Sequence, residues 1–177
     1  MTPYPANMNL KLTDLFIAEM EREAKGTRRA LENIPEGKGD WKPHTKSFSL
    51  GQLATLTSRM PSWIDMIINM NDLDVVPKEG EPRPKMLTTA AELVAAHDEA
   101  LAKGIGALRN TTDDHLMTNW RLLAKGKQMM ESPRHIVIRD SISHLAHHRG
   151  QLTVYLRLLD ATVPAIYGPS ADDQRWS

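Results

Sequence analysis

Ser141-Ile142-Ser143-His144-Leu145-Ala146-His147-His148-Arg149-Gly150-Gln151 is the stretch whose reading decides the fold. On a helix, His144 and His148 lie one turn apart on one face. Working outward, Val137, Ser141, His144, His148, Leu152 and Tyr155 form one stripe, and Ile138, Ile142, Leu145, Leu156 and Leu159 form a second. A helix with two inward stripes is largely surrounded by protein. Ser132 followed by Pro133 supplies an N-cap and a first-turn proline, so this helix is predicted from Pro133 to about Leu159.

Three further helical segments precede it. Leu12, Phe16, Met20, Ala24, Thr27, Leu31 and Ile34 recur at steps of three and four, until Pro35-Glu36-Gly37 ends the run. Ser49 with Gln52 is a capping box opening a second helix, with Leu50, Leu53, Leu56, Met60, Trp63, Ile64 and Ile67 inward; Pro61 predicts a break near Met60. Thr89 with Glu92 opens a third, with Leu93, Ala96, Ala100, Ile105 and Leu108 inward and weakened near its end by Gly104 and Gly106. Residues 1–10 read as an irregular arm and 71–88 as a long polar linker. Thr111 to Asp114 reads as a turn or cap, and His115 to Met117 as one helical turn. Trp120 to Met130, interrupted by Gly126, reads as loop or short extended structure. The tail from Ala161 has no helical period. With no convincing strand pattern, the expectation is an all-α four-helix bundle, a single domain over 1–177, in which the long linker permits a crossover and the irregular tail packs across the bundle end.

Composition narrows the function. Lys plus Arg equals Asp plus Glu at 22 each, and no basic run exceeds two residues, so a nucleic-acid partner is not expected. Cysteine is absent, which excludes disulfides, thiolate ligands and a cysteine nucleophile. No apolar run approaches the roughly 18 residues that span a bilayer, and Met1 to Leu10 lack a signal-peptide pattern. The expectation is a cytoplasmic protein with no membrane partner.

Two imidazoles four residues apart can share a metal ion, which makes His144 and His148 candidate ligands. The same pair can equally be buried histidines bonded to Ser141, Tyr155 or a backbone carbonyl. His147 sits to one side of the same pocket. His44, in the loop before the second helix, reads as a surface or capping histidine, with ligation as the alternative. His97 reads as a solvated helix residue, and His115 and His135 as histidines near helix starts. Arg149 reads as the partner of an acidic group on a neighbouring helix, and Tyr155 as a core tyrosine with a bonded hydroxyl. Gly150, in mid-helix between Arg149 and Gln151, predicts a close helix contact.

The segment His144 to Leu158, the tail Val163-Pro164 and Tyr167 to Asp173, and the stretch Trp41 to Ala54 together resemble the DinB-like (DinB/YfiT) family over nearly the whole chain. The resemblance implies a four-helix bundle, often a homodimer. Some members of the wider superfamily are thiol-dependent transferases or isomerases that use small thiols. It also implies a three-histidine metal site, two of whose ligands match His144 and His148. The third is expected on the second helix in a Leu-Ala-any-His pattern, which here reads Leu53-Ala54-Thr55-Leu56.

Three functional readings follow. One is an enzyme with a divalent ion (zinc or nickel) on His144 and His148, activating water or a small thiol against a small electrophile. Another is a metal-free module that binds a small molecule in a pocket lined by the histidines, Tyr155 and the tryptophans, with Leu56 making its wall more apolar; His147, Gln151 and His44 are further pocket candidates. The last is a dimeric structural protein with no ligand.

Overall fold

The structure is a computed structural model that describes residues 10–76 and 85–175. The expected arm over 1–10 and the middle of the 71–88 linker therefore lie almost wholly outside the described residues. The fold is mainly helical: α1 (Leu12–Glu32), α2 (Leu50–Arg59), α3 (Trp63–Asn69), α4 (Ala90–Arg109), α5 (Asp113–Leu116) and α6 (Arg134–Leu158). Both capping boxes form, at Ser49–Gln52 and Thr89–Glu92. A 3-10 turn at Met60–Ser62 separates α2 from α3, where Pro61 removes a backbone donor. The start of α1 has no side-chain cap of its own. Asp113, about a hundred residues away, accepts from the N–H groups of Leu12 (3.0 Å) and Thr13 (3.3 Å), placing a carboxylate at the positive end of the helix.

The chain is not all-α. Strands β1 (Asp72–Asp74), β2 (Asn119–Ala124) and β3 (Lys127–Pro133) form a sheet in the order β1-β2-β3. β2 and β3 are an antiparallel hairpin closed at Lys125-Gly126, with φ of 53° and 73°. Two consecutive positive φ values match the twist of a tight hairpin, and glycine bears one of them without steric cost. β1 runs parallel to β2, and α4 and α5 lie in the connection that a parallel pair requires. The segment read as a long polar linker thus contributes a strand, and its Leu73 packs against the core. The start of α6 also differs from expectation. Ser132 pairs with Trp120 in the sheet, so β3 runs into α6 without a serine cap.

The core has two parts. Phe16, Met20, Ile64, Ile67, Leu108, Trp120, Val137, Ile138 and Ile142 fill the end that carries the sheet. Ala30, Leu31, Leu50, Leu53, Leu93, Leu152, Tyr155 and Leu156 fill the other. In chain order, each long arm passes between the two through a polar stretch: Glu23 to Thr27 on α1, Leu56 to Ser58 on α2, His97 on α4, and His144 to Arg149 on α6. This belt contains most of the buried polar side chains, including Thr27, Thr57, Ser58, His97, His148 and Arg149. The tail closes over α1 and α6: Ala165 is fully buried, and Ile166 lies against Gly26.

Candidate functional site

The site is the part of the belt carried by α6. The His144 and His148 ring centroids are 4.6 Å apart, with planes tilted by 37°. His147 lies 5.2 Å from His148 and 6.5 Å from His144, centroid to centroid. His148 is buried, whereas His144 and His147 are exposed. Phe48 and Trp63 meet the cluster edge-on, at 6.4 Å from His148 and 5.6 Å from His144. Partial desolvation against its neighbours, followed by the charges that His148 and His147 would carry, holds the His144 pKa below the usual histidine value.

Gln151 fixes one ring. His148 Nδ1 lies 2.8 Å from Gln151 Oε1. The amide oxygen accepts, so Nδ1 bears the proton and Nε2 keeps its lone pair. Tyr155 and His44 are committed elsewhere. The Tyr155 hydroxyl donates to the Phe48 carbonyl at 3.2 Å, and its ring meets Trp41 at 5.5 Å in the distal core. His44 Nδ1 accepts from the Lys46 N–H at 3.1 Å within its own exposed loop. Leu56 is half-buried on α2, at the belt level of the helix that packs against α6. Of the candidate pocket residues, the cluster therefore brings His144, His147, His148 and Gln151 together, while the Tyr155 hydroxyl and His44 Nδ1 are bonded to backbone partners.

The donor set can be tested against a metal ion. With metal–nitrogen bonds of about 2.0–2.1 Å, two imidazole ligands place their ring centres roughly 4.5 Å apart at a 90° ligand angle and about 5.2 Å apart at the tetrahedral angle. His144 and His148, at 4.6 Å, match the 90° spacing and fall short of the tetrahedral one. A third protein donor is missing: among the described residues, no group of three His, Cys, Asp or Glu side chains could hold an ion. These residues do not form a three-ligand site of the catalytic zinc type.

Beside the histidines lies a cavity of about 280 Å³. Trp63, Met66 and Ile67 of α3 form one wall, Val137, Ser141 and His144 of α6 a second, and Leu73, Trp120, Leu122 and Met130 of the sheet a third. The register explains the third wall. Leu73 pairs with Leu122 and Leu122 with Met130, so one side chain from each strand forms a row across a single sheet face. Trp120, two residues before Leu122, points to the same face. Arg134, only 2% exposed, ties the corner together by donating to the carbonyls of Met70 (3.0 Å) and Asn119. Burial lowers its pKa. The sequence reading placed histidines and tryptophans around a pocket, and it did not foresee the wall that the sheet supplies.

Other belt residues are structural. Arg149 donates to Glu23 Oε2 at 2.6 Å and also to Thr27 and the Tyr167 hydroxyl, which makes it the ion-pair partner that the sequence suggested. His97 is 1% exposed, and its Nε2–H donates to the Ala24 carbonyl at 3.2 Å, so the expected solvated residue is a core residue. Its period was legible, since it follows Leu93 by four and precedes Ala100 by three. His115 and His135 donate to the carbonyls of Ile68 and Leu116. Gly150 has no close neighbour: a Cβ there would meet nothing within 4 Å. The close approach occurs at Gly104 instead, where a Cβ would lie 2.5 Å from the Pro61 carbonyl oxygen.

Among the described residues, no helix is long and apolar enough to cross a membrane. Residues 8–176 match the profile of the DinB family. An uncharacterized protein of Bacillus subtilis (strain 168), YrdA, is 30% identical over 162 residues, covering 90% of each chain. Among solved structures, a DinB-like protein from Bacillus subtilis superposes with a TM-score of 0.65 at 17% identity, covering 91% of this chain and 99% of that one. A DinB-like protein from Bacillus cereus ATCC 10987 gives 0.64 at 23% identity, covering 86% and 95%. The two structures share the fold, and the profile match over nearly the whole length establishes that this chain belongs to the DinB family.

Proposed function

We propose that this chain binds a small apolar molecule in the cavity beside His144, and that the histidine cluster acts on the ligand without a tightly held metal ion. The observation that carries the reading is the cavity: about 280 Å³, walled by Trp63, Trp120 and aliphatic side chains, with His144 on its lining. Pockets of this kind combine apolar walls with a few placed polar groups. His148, oriented by Gln151, presents Nε2 as an acceptor next to His144. The four arms α1, α2 with α3, α4 and α6 are taken as one four-helix-bundle domain with the sheet added at one end. Ile136, Val154 and Leu158 are exposed along α6 and suit a homodimer seam. The test is whether small apolar ligands raise the melting temperature of chelator-treated protein.

A second reading has support in the 4.6 Å spacing of His144 and His148. In it, the pair holds a zinc or nickel ion weakly, with the remaining positions filled from solution. Elemental analysis of protein purified without an affinity tag separates the two. Metal near one equivalent per protomer supports the second reading, and metal near zero after loading removes it.

A further inference from the structure

A second cavity, between α1 and the tail, shares no lining residue with the one beside His144. Its volume is also about 280 Å³. Arg22, Lys25 and Arg29 of α1 line it together with Arg149 of α6 and with Ile166 and Tyr167 of the tail. Glu23 is the one carboxylate of the lining among the described residues, and it is committed: Arg149 donates to its Oε2 at 2.6 Å and the Tyr167 hydroxyl at 2.8 Å. Arg22, Lys25 and Arg29 have no acidic partner among the described residues. Acids and bases balance over the whole chain, so three unbalanced cations in one cavity are a local concentration and not a consequence of composition. They stand at i, i+3 and i+7 along α1, and like charges so spaced weaken a helix. Arg29 is half-buried, and its Nε is closed to solvent with no hydrogen-bond partner among the described residues. Its charge is therefore partly desolvated without compensation, and only its two terminal nitrogens are left to meet a counter-ion.

We infer that this cavity is a binding site for a small organic phosphate monoester, whose dianionic head sits among Arg22, Lys25 and Arg29 while its apolar body lies against Ile166 and Tyr167. Arginine forks and a lysine point charge are common donors to phosphate oxygens. The charge count favours a dianion, because two negative charges offset three cations more fully than one does. The size fits a head group carrying one ring. An apolar cavity of about 150 Å³ accommodates benzene, and this one is about 280 Å³.

The probes are phenyl phosphate and benzenesulfonate. Both carry a ring and a head with three terminal oxygens, and at about pH 8 they differ in charge, two against one. Each is titrated calorimetrically into the full chain in a low-salt buffer free of phosphate and sulfate. The expected result is saturable one-to-one binding of phenyl phosphate, about tenfold tighter than that of benzenesulfonate. Arg29→Gln is expected to weaken the phosphate by about tenfold or more, as loss of a charged hydrogen-bond donor should. Lys103→Gln, which removes one exposed charge outside the cavity, is expected to leave it unchanged. Absence of saturation by phenyl phosphate, equal binding of the two probes, or equal weakening by the two variants overturns the inference. The wild-type comparison of the probes decides the matter even if Arg29→Gln fails to fold.

Discussion

His144 and His148 stand one helical turn apart with ring centroids 4.6 Å apart, a separation suited to two ligands of one ion, yet among the described residues no third donor is placed to complete the site. Leu56 occupies the position where the family pattern would put that donor. Replacing it supplies the missing imidazole. Leu56→His is expected to tighten Zn²⁺ binding by roughly tenfold or more, since the added ligand completes three protein donors. Competition against a chromophoric chelator measures this. Unchanged affinity in a folded variant would mean that position 56 does not face the pair.

Arg149 and Glu23 form a pair whose side chains are 2% and 11% exposed. The Glu23 carboxylate also accepts from the Tyr167 hydroxyl at 2.8 Å. Removing one partner leaves a charge that the other no longer balances. Arg149→Leu is expected to cost about 3 kcal/mol in urea unfolding. Tyr167→Phe removes one hydrogen bond and is expected to cost about 1 kcal/mol.

Gly104 and Gly106 lie two residues apart in α4 and respond oppositely to a methyl group. At Gly104 the new Cβ meets the Pro61 carbonyl oxygen at 2.5 Å and Met20 Cε at 2.9 Å. Backbone cannot yield cheaply, so Gly104→Ala is expected to destabilise by about 1–3 kcal/mol. At Gly106 and Gly150 the space is open. Alanine there is expected to stabilise by about 0.5–1 kcal/mol through helix propensity. Thermal melts of the three variants check the sign at each position.

His97 makes stability depend on pH. Burial is the chief cause that holds its pKa below the ordinary 6.5; Arg28 adds to the lowering, and the Ala24 carbonyl and Asp98 oppose it. The folded state therefore binds fewer protons than the unfolded chain just below that value. Stability is intact above about pH 6.5 and falls as pH drops through the unfolded pKa. His144 is shifted in the same direction and adds to the slope. Urea unfolding between pH 5 and 8 is expected to show this decline, reduced in His97→Leu. An identical slope in the variant would assign the effect to other groups.

The helices were legible because their signals are local. Ser49 with Gln52, Thr89 with Glu92, and Pro61 each act within one turn of the chain, and each does in the structure what its chemistry requires. The sheet was not legible. β1 is three residues long with two aspartates, and its partner lies about fifty residues away, beyond any local pattern. The hairpin left one trace, the Lys125-Gly126 pair, but a bulge at Leu122/Leu123 disturbs the alternation that marks a strand. The histidine cluster was visible from spacing alone. A pocket lined by histidines and tryptophans was expected, but its sheet wall was hidden because Leu73, Trp120 and Met130 reach it only through strand register.

The proposed binding of a small apolar ligand in the cavity beside His144 needs no metal ion. Isothermal titration of acetophenone into chelator-treated protein tests it directly, with Leu73→Trp as a variant that fills the cavity. The expected result is saturable binding that the chelator leaves unchanged and that Leu73→Trp abolishes while the protein stays folded. Absence of binding to the wild type, binding that appears only when Zn²⁺ is added, or binding untouched by Leu73→Trp would contradict it.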